Sequence, residues 1–146
     1  GEIAQAAPPE EVYNHPASER VARFVGNANI LDLPVTAKDA AGSDLALPDG
    51  NRLRIDSPAP WANGRLRVMA RPEQIGLTDP GTGHLGGQIA KRYFSGGHVE
   101  YHVDSDCGPL IVLGPTTQTV AEGANVGLAL DPARLWPIPE PKGKAQ

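Results

Sequence analysis

A mainly β fold of short antiparallel strands, preceded by two short N-terminal helices, is what this sequence predicts, and three observations carry the prediction. Its 146 residues include 17 glycines and 15 prolines, so a turn former or helix breaker recurs too often for long helices. From Asn29 onward apolar residues recur with period two, as in a strand with one buried face. Before Asn29 the period is helical and confined to two short stretches.

The length allows one compact domain with a real core, built from two small lobes, and excludes two large domains. A net charge of -4 provides no broad basic surface, which sets nucleic acid and anionic membranes aside as main partners. Aromatics are only 5% of residues, too few for a surface that stacks bases. Cys107 is the single cysteine, so the sequence predicts no internal disulfide and no paired-cysteine zinc site, and points to a reducing cytoplasm. No apolar run is long enough to cross a bilayer and no basic-then-apolar leader stands at the N-terminus, so membrane association is expected through a partner protein.

The elements follow in order. Pro8 and Pro9 open a first helix, Glu10 and Glu11 suit its positive end, and Pro16 closes it. A second helix starts after Ser18 as N-cap, carries Val21, Ala22, Phe24 and Val25 on one face, and stops at Gly26. Helices this short need support, so Tyr13, Val21, Phe24 and Val25 are expected to be core or interface. Ile30 to Val35, Leu45 to Leu47 and Leu53 to Ile55 then read as a meander of strands, with tight turns at 39–43 and 48–51. Gly64 to Leu77 is the organising stretch: Leu66, Val68 and Ala70, then Ile75 and Leu77, alternate with polar residues across a break at Pro72. Residues 78–87 read as a mobile turn region with Gly86 and Gly87 as a hairpin entry; strands follow at 88–94, 98–103, 109–113 and 124–130. This half predicts a small closed or nearly closed barrel, with OB-type topology foremost. The expected division is a helical linker over 1–28, an OB-like domain over 29–138 with possible interleaved lobes at 29–63 and 64–138, and a disordered tail over 139–146.

Enzymatic motifs are weak. His98, Glu100 and His102 share one face of a strand while Val99, Tyr101 and Val103 take the other. Strand rise sets the two histidines roughly 13 Å apart, too far to meet one zinc at about 2 Å. His98-Val-Glu100 lacks the paired cysteines of a deaminase, and Val99 stands where a metalloprotease has glutamate. No serine lies in GxSxG, and the aspartates around Cys107 raise rather than lower its pKa.

A resemblance adds what these patterns do not. Gly1-Glu-Ile-Ala-Gln5, Pro9-Glu-Glu-Val-Tyr13, Pro16, Phe24-Val-Gly26 and Asn29 resemble the end of the nucleotide-binding domain of importer-type ATP-binding-cassette (ABC) ATPases. Arg71-Pro-Glu73 with Ile75 and Leu77, Gly87-x-Ile89, Tyr93, Gly96 and Tyr101-x-Val103 resemble that family's transport-associated OB domain, TOBE. The likeness runs to about Ile138. It implies an ATPase domain earlier in the same polypeptide, a second copy forming a homodimer, and permease subunits in the membrane, with the subunit cytoplasmic and peripheral to the inner membrane. Maltose, polyamine, ferric-iron and sulfate importers share this layout. ATP and Mg are expected only for the full-length parent, since no GxxxxGK[ST] phosphate loop occurs here, and Leu85-Gly-Gly-Gln88 lacks the serine of the ABC signature peptide. No catalytic residue, cofactor or metal is therefore assigned to this chain.

The implied role is regulatory and dimer-stabilising. Arg71, Pro72 and Glu73 would fix the organising strand, their charges bonding to neighbouring strands or a second subunit, or else standing on an exposed strand end. Tyr13, Phe24 and Val25 would pack on the ATPase domain, the barrel or a second copy. The alternative is a free-standing OB-like module binding a small oxyanion, for which Gly86 and Gly87 with Lys91 and Arg92, or Ser95-Gly-Gly97, would supply amides and cations.

Overall fold

The computed structural model describes residues 7–139; the Gly1–Gln5 part of the family likeness and residues 140–146 of the expected tail lie outside them. Helix α1 (Pro9–Asn14) and helix α2 (Glu19–Val25) form where capping chemistry places them. The Ser18 hydroxyl accepts the Val21 amide at 3.2 Å, satisfying one of the free donors at the start of α2. Val21 and Ala22 are buried, whereas Phe24, two residues past Ala22 and on the other side of the helix, is 62% exposed. The expected single apolar face is therefore narrower than predicted.

Among the described residues ten strands follow: β1 (Asn29–Lys38), β2 (Ser43–Ala46), β3 (Arg52–Ile55), β4 (Arg65–Ala70), β5 (Gly76–Thr78), β6 (Leu85–Ser95), β7 (His98–Ser105), β8 (Gly108–Pro115), β9 (Asn125–Ala129) and β10 (Trp136–Ile138). They form two five-stranded sheets, ordered β10-β4-β1-β2-β3 and β5-β9-β6-β7-β8, with antiparallel neighbours throughout. The predicted class, mainly β with curled OB-like sheets and two short helices, is the observed one. One contiguous core joins the sheets: Leu31, Leu33, Leu45 and Val68 from the first meet Tyr101, Val103, Val112 and Leu128 from the second. A smaller cluster, Ala22, Met69 and Ile138, seats α2 on the outer face of the first sheet.

The organising stretch does not continue as one strand. β4 belongs to the first sheet and β5 to the second, and Arg71 with a 3-10 turn over Pro72–Gln74 carries the chain between them. Residues 85–87 are corrected as well. β6 begins at Leu85, three residues before the predicted start at Gln88, because Gly86 and Gly87 pair with Gly127 and Val126 of β9. A Cβ at Gly87 would stand 2.7 Å from Val103 Cγ1, so glycine serves close strand packing there and not a hairpin entry.

Asn29 completes the closure. It is 5% exposed, and its side-chain amide donates to the Ile111 carbonyl at 2.8 Å while its oxygen accepts the Ile111 amide at 2.8 Å. One side chain thus stands in for a strand partner on the edge of β8 and joins the two sheets. Replacing Asn29 by Ala leaves both Ile111 groups without their partner, and a loss of about 1–3 kcal/mol in urea unfolding is expected; an unchanged midpoint contradicts this role.

Candidate functional site

The crossing between the sheets is also where the helical linker is held. Pro72 starts the 3-10 turn with its ring-fixed φ, the Arg71 amide donates to Gln74 Oε1 at 3.0 Å, and the Gln74 amide donates to the Arg71 carbonyl at 2.9 Å. This reciprocal cap fixes the Arg71 backbone and directs its side chain away from solvent, to 0% exposure.

The buried guanidinium is bonded to backbone, and among the described residues no carboxylate pairs with it. Nε donates to the Tyr13 carbonyl at 2.9 Å, and Nη1 donates to the Ala22 carbonyl at 3.0 Å and the Asn27 carbonyl at 2.8 Å. Cζ lies 4.1 Å from the centroid of the Tyr13 ring, a cation-π contact strengthened by burial. The Tyr13 hydroxyl in turn donates to Glu73 Oε2 at 2.5 Å. Burial pulls the Arg71 pKa below its usual value, while the Tyr13 and Glu73 charges push back. Arginine keeps its proton far more firmly than other cations, so the group stays charged. Tyr13 is pushed up to about 12, first by burial, then by its hydrogen bond to Glu73 and that residue's charge.

Further contacts seat the linker from other sides. Trp136 Nε1 donates to the Pro16 carbonyl at 3.0 Å, and its ring lies 4.2 Å from that of His15. Arg67 on β4 pairs with Glu19, which also binds Arg23.

The structure places the predicted residues unevenly. Arg71, Pro72, Glu73 and Tyr13 come together, but Arg71 neither reaches across to a neighbouring strand nor stands on an exposed strand end: its partners are linker carbonyls. Val25 is half-buried and Phe24 projects into solvent. Of the oxyanion candidates, Gly86 and Arg92 already have partners within the chain. The Gly86 amide already donates to Asp106 Oδ2 at 2.9 Å, Lys91 is exposed, and Arg92 donates to the Val120 carbonyl while its amide donates to Glu122. Asp106 and Glu122 thus take the Gly86 and Arg92 amides. His102 pairs with Glu100 at 2.7 Å, and among the described residues no group of three potential ligands is arranged for a metal. Cys107 is half-buried, with its pKa raised by burial first and by Asp106 second. Sequence reasoning missed Asn29 and Trp136 as parts of this assembly; the position of Asn29 where the period changes from helical to strand was the available signal.

Tyr13 gives the site a pH signature. A phenol whose folded pKa is raised to about 12 keeps its proton between its ordinary value and 12 while the unfolded chain loses one, so stability falls across that window as pH rises. Tyr13→Phe removes this contribution, and its melting temperature is expected to fall less than that of the parent from pH 10 toward 12, relative to each protein at pH 8. Parallel curves for the two proteins contradict the placement of Tyr13.

Comparison with known proteins gives the assembly a context. Residues 68–138 match the family described as TOBE domain. An Fe(3+) ions import ATP-binding protein of Rhizobium etli is 32% identical over 145 residues, covering 89% of this chain and 38% of its own length. A spermidine/putrescine import ATP-binding protein of Ruegeria pomeroyi is 33% identical over 135 residues, covering 88% of this chain and 36% of its own. The chain thus spans somewhat over a third of these relatives and matches their C-terminal region. In fold, the cytoplasmic molybdate-binding protein ModG, in a form with molybdate bound, superposes with a TM-score of 0.63 at 12% identity, over 77% of this chain and 96% of that one. With the OB-like sheets, the Arg71-Pro-Glu73 crossing inside the matched segment and the linker ahead of it, the chain belongs to the TOBE-domain region of importer-type ABC ATP-binding subunits.

Proposed function

We propose that this chain is the regulatory and dimer-stabilising C-terminal domain of an ABC importer ATP-binding subunit, supporting ATP-driven solute uptake by the full-length protein. The observation that carries the reading is the burial of Arg71 against the carbonyls of Tyr13, Ala22 and Asn27. A guanidinium that ties two helices to the crossing between two sheets makes linker and barrel one mechanical unit. Movement of the chain ahead of the linker is then delivered to the barrel and not absorbed in a hinge.

On this reading an ATPase domain precedes the linker in the same polypeptide and holds the ATP and Mg, a second copy completes a homodimer, and permease subunits keep the assembly peripheral to the inner membrane on its cytoplasmic side. Phe24, exposed on the linker, supports a contact with that ATPase domain or the second copy. Ferric-iron and polyamine import proteins match at 32% and 33% identity, which fits a domain whose work does not depend on the solute. The alternative is a free-standing OB-like module binding a small oxyanion: the likeness in fold to ModG supports it, whereas the bonds of Asp106 to the Gly86 amide and of Glu122 to the Arg92 amide weigh against a site at Gly86 and Gly87.

The test uses the full-length subunit with its native upstream sequence. Arg71→Lys keeps the charge but loses the two-nitrogen geometry, and about a tenfold weaker dimer is expected by sedimentation, with reduced uptake when the permease is present. Lys91→Gln, at an exposed position with no part in the Arg71 contacts, leaves both unchanged. A subunit that stays monomeric at every concentration, or an Arg71→Lys dimer as tight as the parent, overturns the reading.

A further inference from the structure

Asn63 and Gly64 stand in the loop between β3 and β4 and form the one Asn-Gly pair of the sequence. An asparagine before glycine is able to react with its own backbone. The glycine nitrogen gives its proton to a solvent base and attacks the asparagine Cγ; the Cγ–Nδ2 bond then breaks and ammonia leaves, taking up a proton. Water opens the resulting succinimide ring at either carbonyl carbon, giving aspartate or isoaspartate, in which the main chain runs through Cγ. Glycine favours this closure because it has no Cβ to crowd the attacking nitrogen and moves freely between backbone conformations.

The folded chain leaves the pair open to the reaction. Both residues are exposed, and among the described residues neither the Asn63 side chain nor the Gly64 N–H has a hydrogen-bond partner. Gly64 has φ +78°, and a Cβ there would meet nothing within 4 Å, so solvent reaches its backbone. Other sites are held. Asn29 is 5% exposed and bonded to both backbone groups of Ile111. Asn51 precedes Arg52 and donates from its side chain to Asp49 at 2.9 Å. Asp49 precedes Gly50, but its carboxylate accepts both the backbone and the side-chain amide of Asn51.

The position gives the reaction a structural consequence. The Gly64 carbonyl accepts the Val35 amide at 2.9 Å, just past the Pro34–Arg65 pair that ends the β1–β4 ladder. Isoaspartate lengthens the main chain by one atom immediately ahead of that carbonyl.

We propose that Asn63 is a site of spontaneous deamidation through a succinimide formed with Gly64, and that the isoaspartyl product loosens the Gly64–Val35 end of the β1–β4 pairing. The proposal does not rest on the importer role.

Ageing the full chain in mildly alkaline buffer, followed by peptide mass mapping with fragmentation that separates isoaspartate from aspartate, tests the chemistry. The expected result is an amide-to-acid mass gain that appears first in the peptide holding Asn63, with both products present, while Asp49 is unchanged. Asn63→Gln, which would have to close a larger ring, is expected to keep its amide over the same period. Hydrogen exchange on the aged chain tests the consequence: the Val35 amide is expected to lose protection in the isoaspartyl product and to keep it in freshly made Asn63→Asp. Retention of Asn63 in the folded chain, while a synthetic peptide of residues 58–70 converts, shows that the fold blocks ring closure and overturns the proposal. Conversion to aspartate alone, or first at another asparagine, overturns it as well, and unchanged Val35 protection in the isoaspartyl product overturns the loosening.

Discussion

The structure depends on one buried charge. A guanidinium removed from water must replace its hydration with fixed acceptors or be excluded from the fold. Arg71 meets that demand at Nε and Nη1 with carbonyl oxygens of Tyr13, Ala22 and Asn27, groups near the ends of helices too short to stand alone, while its enclosed Nη2 has no hydrogen-bond partner among the described residues. The dependence runs both ways. Without the helices the cation has no acceptors, and without the cation those carbonyls and the Tyr13 ring have no reason to gather at the crossing. Tyr13 extends the arrangement by handing its hydroxyl proton to a hydrogen bond with Glu73, so the acidic residue two positions past the arginine acts on it through the phenol.

This charge matters for architecture because of where it lies. The backbone leaves the first sheet at Ala70 and enters the second at Gly76, and Arg71 is the first residue of that passage. Asn29, where the linker becomes β1, bonds across to Ile111 of the second sheet. Linker, first sheet and second sheet are therefore joined at two points a few residues from the same junction. Pro72 suits the passage because its fixed φ starts the 3-10 turn and its missing amide is not needed by either ladder.

Much of this was legible from residue order, and the rest failed for identifiable reasons. Alternation in Leu31 and Leu33, in Leu66 and Val68, and in Val99, Tyr101 and Val103 marked true inward faces, since the period of a strand is set by the backbone alone. Ser18 was readable as a cap for the same local reason. Arg71 was not readable as buried, because its acceptors lie 44 to 58 residues away and a charged residue beside proline at a strand end normally faces water. Gly86 and Gly87 looked like turn residues, whereas glycine is needed there by Val103 on the neighbouring strand. The register shift between Ile89 and Lys91 also leaves no mark in the apolar pattern, yet it decides which face Arg92 and Phe94 take.

The central claim is that linker and barrel are one unit held through Arg71, and amide hydrogen exchange measures this most directly. The Val12, His15 and Ala22 amides, bonded within the linker to Pro8, Glu11 and Ser18, report on the helices. The account predicts that they open with the same free energy as the amides of β1 and β4, because the linker does not detach short of global unfolding. Exchange of these amides near the unprotected rate, while β1 and β4 remain protected, contradicts it.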